Sequence, residues 1–234
     1  MRIITDPQKI KRNSKIGLYT SLASLVLLVA AVILTFNSDP RMVSYSFFAM
    51  IAGLILSQIG VYFANRWGKS PRIDERITQS LKGLDDRYTL YHYTTPVPHL
   101  LTGPAGIWVI VPQYQAGTIT YDNNRNRYRQ KGVGFFARFV GQESLGRPDL
   151  EAKAYQEEFE KFLKKSLEDG SLPQINTIIV FTNPKAIVQV QNSPIPTLHV
   201  EKLKDFVRRK SKEQAVSMDL IRQVGELLPE EDVS

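Results

Sequence analysis

Hydrophobic and polar positions divide the chain into two regimes. Two uncharged apolar runs, Ile16–Phe36 and Met42–Ala64, dominate the first part. Each exceeds the roughly 20 residues that a helix rising ~1.5 Å per residue needs to cross a bilayer core of about 30 Å. A signal peptide is one alternative, with an apolar region of only about 7–15 residues leading to a small-residue cleavage site. A buried soluble hairpin is another, and it would need two helices apolar all round. The pattern predicts a transmembrane helical hairpin over 16–64, turning at Asn37-Ser38-Asp39-Pro40-Arg41.

After Pro71 the apolar runs become short. Ile73, Ile77, Leu81 and Leu84 have helical spacing, and Gly83 with Asp85-Asp86 marks that helix's end. Tyr88–Tyr93 predicts a first strand. Leu100-Leu101 and Ile107–Val111 bracket the turn Gly103-Pro104-Ala105-Gly106, which predicts a hairpin at the centre of a sheet. The second run has no polar alternation, so both of its faces are expected to be covered, as in an α/β domain. Pro112, without an N–H, is expected to end that ladder. Thr118–Tyr121 predicts a further strand, Leu150 to about Glu168 a helix, and Asn176–Thr182 a buried strand. Ile187–Val190 and Thr197–Val200 predict short strands, and Glu201–Lys210 and Met218–Leu228 helices. The acidic tail Pro229–Ser234 is expected to fray.

Charge then assigns an orientation. Of the net +7, residues 1–68 carry +5 (seven Lys and Arg, two Asp and Glu) and residues 69–234 only +2 (23 against 21). Arg2, Lys9, Lys11, Arg12 and Lys15 make residues 1–15 a basic N-terminal segment. Arg66, Lys69, Arg72 and Arg76 follow the second run, against Arg41 alone in the loop. The positive-inside rule therefore predicts an integral membrane protein with both termini cytoplasmic. The basic balance is mostly a topology signal, which weakens a nucleic-acid reading. With no Cys, neither a disulfide framework nor a thiol nucleophile is available, and His92, His99 and His199 are too scattered to suggest a metal cluster.

The hairpin carries a resemblance. His99, Leu100, Leu101, Gly103, Pro104, Gly106, Ile107, Val109, Ile110 and Gly117 fall in a frame that resembles the nuclease-related (NERD) domain of the PD-(D/E)XK endonuclease-like superfamily. Arg147-Pro148-x-x-Glu151 is similar to that family's Asn-Pro-x-x-Gln helix opening. The resemblance covers roughly 71–210, leaving 211–234 as a C-terminal helix and tail. It implies a restriction-endonuclease-like mixed sheet flanked by helices. It also implies an Asp, a Glu and a Lys at positions where Pro98, Val111 and Gln113 stand.

Phosphodiester hydrolysis of this kind needs Mg2+ held by oxygen ligands and a group that orients the attacking water. Pro and Val offer no side-chain oxygen, and Gln lacks the Lys charge. Glu75 matches the family's helix Glu and His99 its strand His; these are the residual catalytic candidates. The plainer reading of Glu75 is a carboxylate favoured by a helix N-terminus, and of His99 a hydrogen-bonded structural His. The resemblance thus implies a catalytically inactive domain, with no metal and no cofactor.

Arg125, Arg127, Arg129 and Lys131 alternate, so a strand would present all four cations on one face. Arg138 and the aromatic Phe135, Phe136 and Phe139 follow. Two readings stand: a solvated strand face, or an anion contact, with lipid headgroups ranked above nucleic acid because the domain is tethered to the bilayer. Three functions compete on this basis. One is a membrane-anchored binding or scaffolding module. Another is a divergent Mg-dependent nuclease with displaced ligands such as Asp74, Glu75, Asp122 or Glu151. The third is a membrane-structural protein.

Overall fold

The computed structural model of the protein describes residues 1–37, 39–68, 70–132, 145–167, 172–213 and 216–232. Arg138, the aromatic segment around it and Glu168 lie outside the described residues. The chain forms two compact units, one made by 9–72 and the other mainly by 1–8, 73–134 and 144–234.

The first unit is a helical hairpin of α1 (Pro7–Thr35) and α2 (Pro40–Phe63), both long and apolar enough to cross a membrane. Asp39 caps α2 by accepting from the Arg41 N–H at 2.9 Å, and Pro40 occupies the first helical turn. The helices meet through small residues at seven-residue intervals: Gly17, Ser24 and Ala31 on α1, and Ser46, Gly53 and Gly60 on α2. That is a coiled-coil repeat with close backbone approach. Ser24 Oγ donates to Gly53 O at 2.9 Å and Ser46 Oγ to Ala31 O at 2.8 Å, so the seam is hydrogen-bonded as well as packed. The remaining surface is apolar, with Leu25, Val26, Ile33, Phe47, Phe48 and Ile55 exposed.

The second unit is mixed α/β. Its main sheet has six strands in the order β1-β2-β3-β4-β7-β9, with β1 Arg2–Thr5, β2 Thr89–His92, β3 His99–Gly103, β4 Gly106–Gln113, β7 Ile175–Phe181 and β9 Thr197–His199. The β2–β3 and β3–β4 pairs are antiparallel; β1–β2, β4–β7 and β7–β9 are parallel. A smaller sheet, β6-β5-β8, consists of β5 Gly117–Asp122, β6 Arg127–Lys131 and β8 Ala186–Val188. Helices α3 (Ile73–Leu81), α4 (Pro148–Ser166), α5 (Leu203–Glu213) and α6 (Met218–Glu226) complete the unit.

β4 is central and covered on both faces, as its unbroken apolar run predicts. Ile107, Val109 and Val111 join Phe159 and Leu163 of α4 and Ile221 and Val224 of α6. Trp108 and Ile110 join Ile73, Ile77 and Leu81 of α3 and Leu203, Phe206 and Val207 of α5. The β3–β4 turn needs Gly106, whose φ of 95° few side-chain-bearing residues adopt. Trp108 Nε1 donates to Ala105 O at 2.8 Å and pins the turn.

Three expectations are corrected. Residues 1–15 are not one basic segment: Arg2–Thr5 pairs in parallel with β2, and α1 begins at Pro7. Pro112 does not end the ladder, since it pairs with Val180 inside β4. Gln113 O accepts from Thr182 N at 2.8 Å on the β7 side, so Pro112, one residue earlier, faces the other side, beyond the first residue of β3. No donor is needed there. The tail does not fray at its start: Thr5 N–H donates to Asp232 Oδ1 at 2.7 Å, and the Arg2 guanidinium donates to Glu230 O.

Candidate functional site

The polar residues singled out by sequence gather where β2 ends, β3 begins and β4 ends. Because β2–β3 and β3–β4 are antiparallel, these termini share one end of the sheet. They divide between its two faces.

On the α3 face, His92 and His99 are register partners, and both are 1% exposed. Their Nδ1 atoms lie 2.7 Å apart, and His92 Nε2 lies 2.9 Å from Thr78 Oγ1 of α3. A hydrogen bond between two imidazole nitrogens requires one N–H and one bare lone pair, so at least one ring is neutral at Nδ1. The Tyr93 ring packs edge-on to His99 at 4.8 Å. Tyr93 has φ 64°, a left-handed backbone costing on the order of 1–3 kcal/mol for a residue with a side chain. That turn aims its N–H at Pro98 O, 2.8 Å away, and closes the loop between β2 and β3. Thr95 Oγ1 donates to Val97 O at 2.7 Å and stiffens the same loop. Asp74, on the first turn of α3, is 4% exposed; Glu75 beside it is half-buried.

On the α4 face, Gln113 Nε2 donates to Glu151 Oε2 at 2.7 Å, and the Tyr155 hydroxyl donates to Glu151 Oε1 at 3.3 Å. Gln113 is 4% exposed and Val111 is fully buried in the core. Glu151 lies in the first turn of α4, which opens at Pro148 without a side-chain cap. The Arg147 guanidinium beside Asp149, 2.6 Å away, holds that carboxyl below its ordinary range. The site candidates are therefore split: His99 and the helix bearing Glu75 lie on one face, and Val111 and Gln113 face α4. Among the described residues no group of three His, Asp or Glu is arranged to hold a metal ion.

The cationic residues lie on the smaller sheet. β6 begins only at Arg127, so Arg127, Arg129 and Lys131 share its outer face while Arg125 belongs to the preceding turn, its N–H donating to Asp122 Oδ1 at 3.2 Å. Arg129 forms an ion pair with Asp122 at 2.7 Å. Burial works against the Asp122 charge, but the Arg125 and Asn124 N–H groups and the Arg129 charge outweigh it, and its pKa is lowered. Tyr128 on the inner face is 3% exposed and shares hydroxyl contacts with Ser193 Oγ (2.6 Å) and Thr197 Oγ1 (2.7 Å). Burial raises its pKa.

Sequence reasoning missed the partnership of His92 with His99. Its only signal is their position at the two ends of one hairpin loop, which becomes a contact once the register is known. The chain matches no family model, no curated protein and no solved structure. Fold and site together define a mixed α/β protein with two long apolar helices.

Proposed function

We propose that this protein is a membrane-anchored, cytoplasm-facing binding or scaffolding module whose α/β domain is a degenerate relative of the nuclease-related domain. The observation that carries this reading is the Gln113–Glu151 hydrogen bond. Where the resemblance implies a Lys that organises phosphodiester hydrolysis, a neutral amide is spent on a carboxylate of α4. Val111, at the position of an implied metal-binding Glu, is a core side chain. Pro98 offers no side-chain oxygen at the third. Cleavage needs a metal and an oriented water, and this donor set suits neither.

The anchor rests on the outward apolar surface of α1 and α2 and on the basic residues at both ends of the pair. The pairing of β1 with β2 supports same-sided ends, because the segments before α1 and after α2 fold as one unit. The ligand we favour is the anionic headgroup layer of the bilayer itself, met by Arg127, Arg129 and Lys131, with nucleic acid ranked below it. Mg2+ would enter only in a divergent nuclease.

The test uses the full-length protein in detergent micelles with labelled DNA and RNA in Mg2+ or Mn2+. The expected result is no cleavage above that of a Glu75→Ala variant. Cleavage that vanishes in that variant makes the protein a nuclease and sinks the binding-module reading.

A further inference from the structure

The His92–His99 pair has a proton capacity set by geometry. With no added proton, one Nδ1–H donates to the other Nδ1 across 2.7 Å. Either ring can be the donor. If His92 donates, its bare Nε2 accepts from Thr78 Oγ1; if His99 donates, His92 carries its proton on Nε2 and gives it to Thr78. One added proton is also accommodated, as an imidazolium donating to a neutral imidazole. A second is not, because two Nδ1–H groups would then point at each other at hydrogen-bond distance.

The surroundings decide what a second proton does. Both rings are 1% exposed, so two imidazolium groups cannot turn into water without moving whatever covers them. β2 and β3 are laddered to each other at this point, and His92 is also the register partner of Thr5 on β1. α3, by contrast, is a helix of nine residues that reaches the pair through Thr78. Among the described residues, Asp6 after β1 donates its N–H to His92 O at 3.2 Å, the Tyr93 ring packs on His99, and Asp74, Glu75 and Arg76 lie on α3 with Thr78. Asp74 and Glu75 precede Thr78 by four and three residues, hence on its side of the helix.

We propose that His92 and His99 form a proton-sensitive clasp that holds α3 on the sheet and opens when both rings are protonated. Below the ordinary His range, near pH 6.5, the open state binds more protons than the closed one. The closed state is therefore favoured at higher pH and lost as pH falls. Each pH unit shifts the equilibrium about tenfold per net proton. α3 is the first α-helix after the apolar hairpin, so the clasp makes the docking of that helix responsive to acidification.

The test is hydrogen exchange of the α3 amides in the full-length protein in micelles, from about pH 7.5 to about pH 5.5, corrected for the intrinsic pH dependence of exchange. In the wild type, protection of α3 should fall by up to tenfold per unit once below the ordinary His range. His99→Asn keeps a side-chain hydrogen bond to His92 without a titrating ring, and its α3 should show no such fall. His199→Gln removes the remaining His, on β9, and should behave as wild type. A flat wild-type profile, or an equal fall in His99→Asn, overturns the clasp. If His99→Asn does not fold, nitrogen NMR of the wild-type imidazoles decides. Two rings that take up both protons in the ordinary range while α3 stays protected would overturn it; a second proton displaced to lower pH, arriving with α3 exposure, would support it.

Discussion

The Gln113 amide and the Glu151 carboxylate meet across 2.7 Å, joining the last residue of β4 to the first turn of α4. Replacing Gln113 by Leu keeps apolar bulk but removes the donor, leaving Glu151 with only the longer Tyr155 contact. Stability should fall by about 1–3 kcal/mol, the usual cost of stranding a partly buried hydrogen-bonding group. The Gln113→Leu/Glu151→Leu double variant should lose less than the two single losses combined. Denaturant unfolding of the micelle-bound protein measures both. Additive losses would mean that the pair is not coupled.

Membrane orientation is open to chemical labelling. Single cysteines at Ser14, Asn37 and Gln79 should react differently with an impermeant thiol reagent in intact cells. Position 37, in the loop between α1 and α2, should label; 14 and 79 should label only after lysis. The reverse pattern would place the α/β domain outside.

The hairpin seam leaves no room for larger side chains at its glycines. A Cβ at Gly60 would lie 3.1 Å from the Ser21 backbone nitrogen, and one at Gly53 would lie 2.8 Å from Leu28 Cγ. Gly60→Leu should therefore separate α1 from α2. Disulfide trapping between cysteines placed at Thr35 and Ser46, whose hydroxyls lie 2.7 Å apart, should be efficient otherwise and weak in that background. Trapping at an unchanged rate would show that the seam tolerates bulk.

Charge at the β6 face makes a prediction of opposite sign to simple loss of binding. Asp122 neutralises Arg129, so Asp122→Asn should tighten binding of the α/β unit to anionic vesicles roughly fivefold at low salt, about the worth of one charge near an anionic leaflet. Arg127→Gln and Lys131→Gln should each weaken it by a similar factor. The effects should fade as ionic strength rises. Vesicle flotation is the measurement, and no response to Asp122→Asn would remove this face from the lipid contact.

Tyr128 provides an alkaline limit. Burial raises its hydroxyl above the ordinary tyrosine range, so the folded state keeps a proton that the unfolded state gives up. The stability it contributes is complete below about pH 10, the unfolded value, and is lost as pH rises through the raised one. Tyr128→Phe should lower stability at neutral pH, by removing the contacts to Ser193 and Thr197, and should flatten the alkaline fall. An unchanged alkaline profile would assign that fall to other groups.

Sequence by itself determined what depends on local periodicity. The two long apolar helices follow from unbroken runs, and the double burial of β4 follows from Ile107–Val111 having no polar alternation. The turn at Gly103–Gly106 follows because few residue types adopt its backbone. Alternation likewise located the cationic face of β6, although Asn126, with φ 46°, ends the turn late and leaves Arg125 out of the strand. What only the tertiary structure decided depends on residues distant in the chain. Arg2–Thr5 carries no strand signal strong enough to outweigh its basic surroundings, and it becomes a strand because β2 offers a free edge. Glu230 and Asp232 are ordered by that same strand, not by their own sequence. Gln113 meets Glu151 across 38 residues, and His92 meets His99 only once the β2–β3 register is set. Hydrophobic periodicity is blind to such contacts, because a buried polar side chain is stable only beside its partner, and register and packing choose that partner.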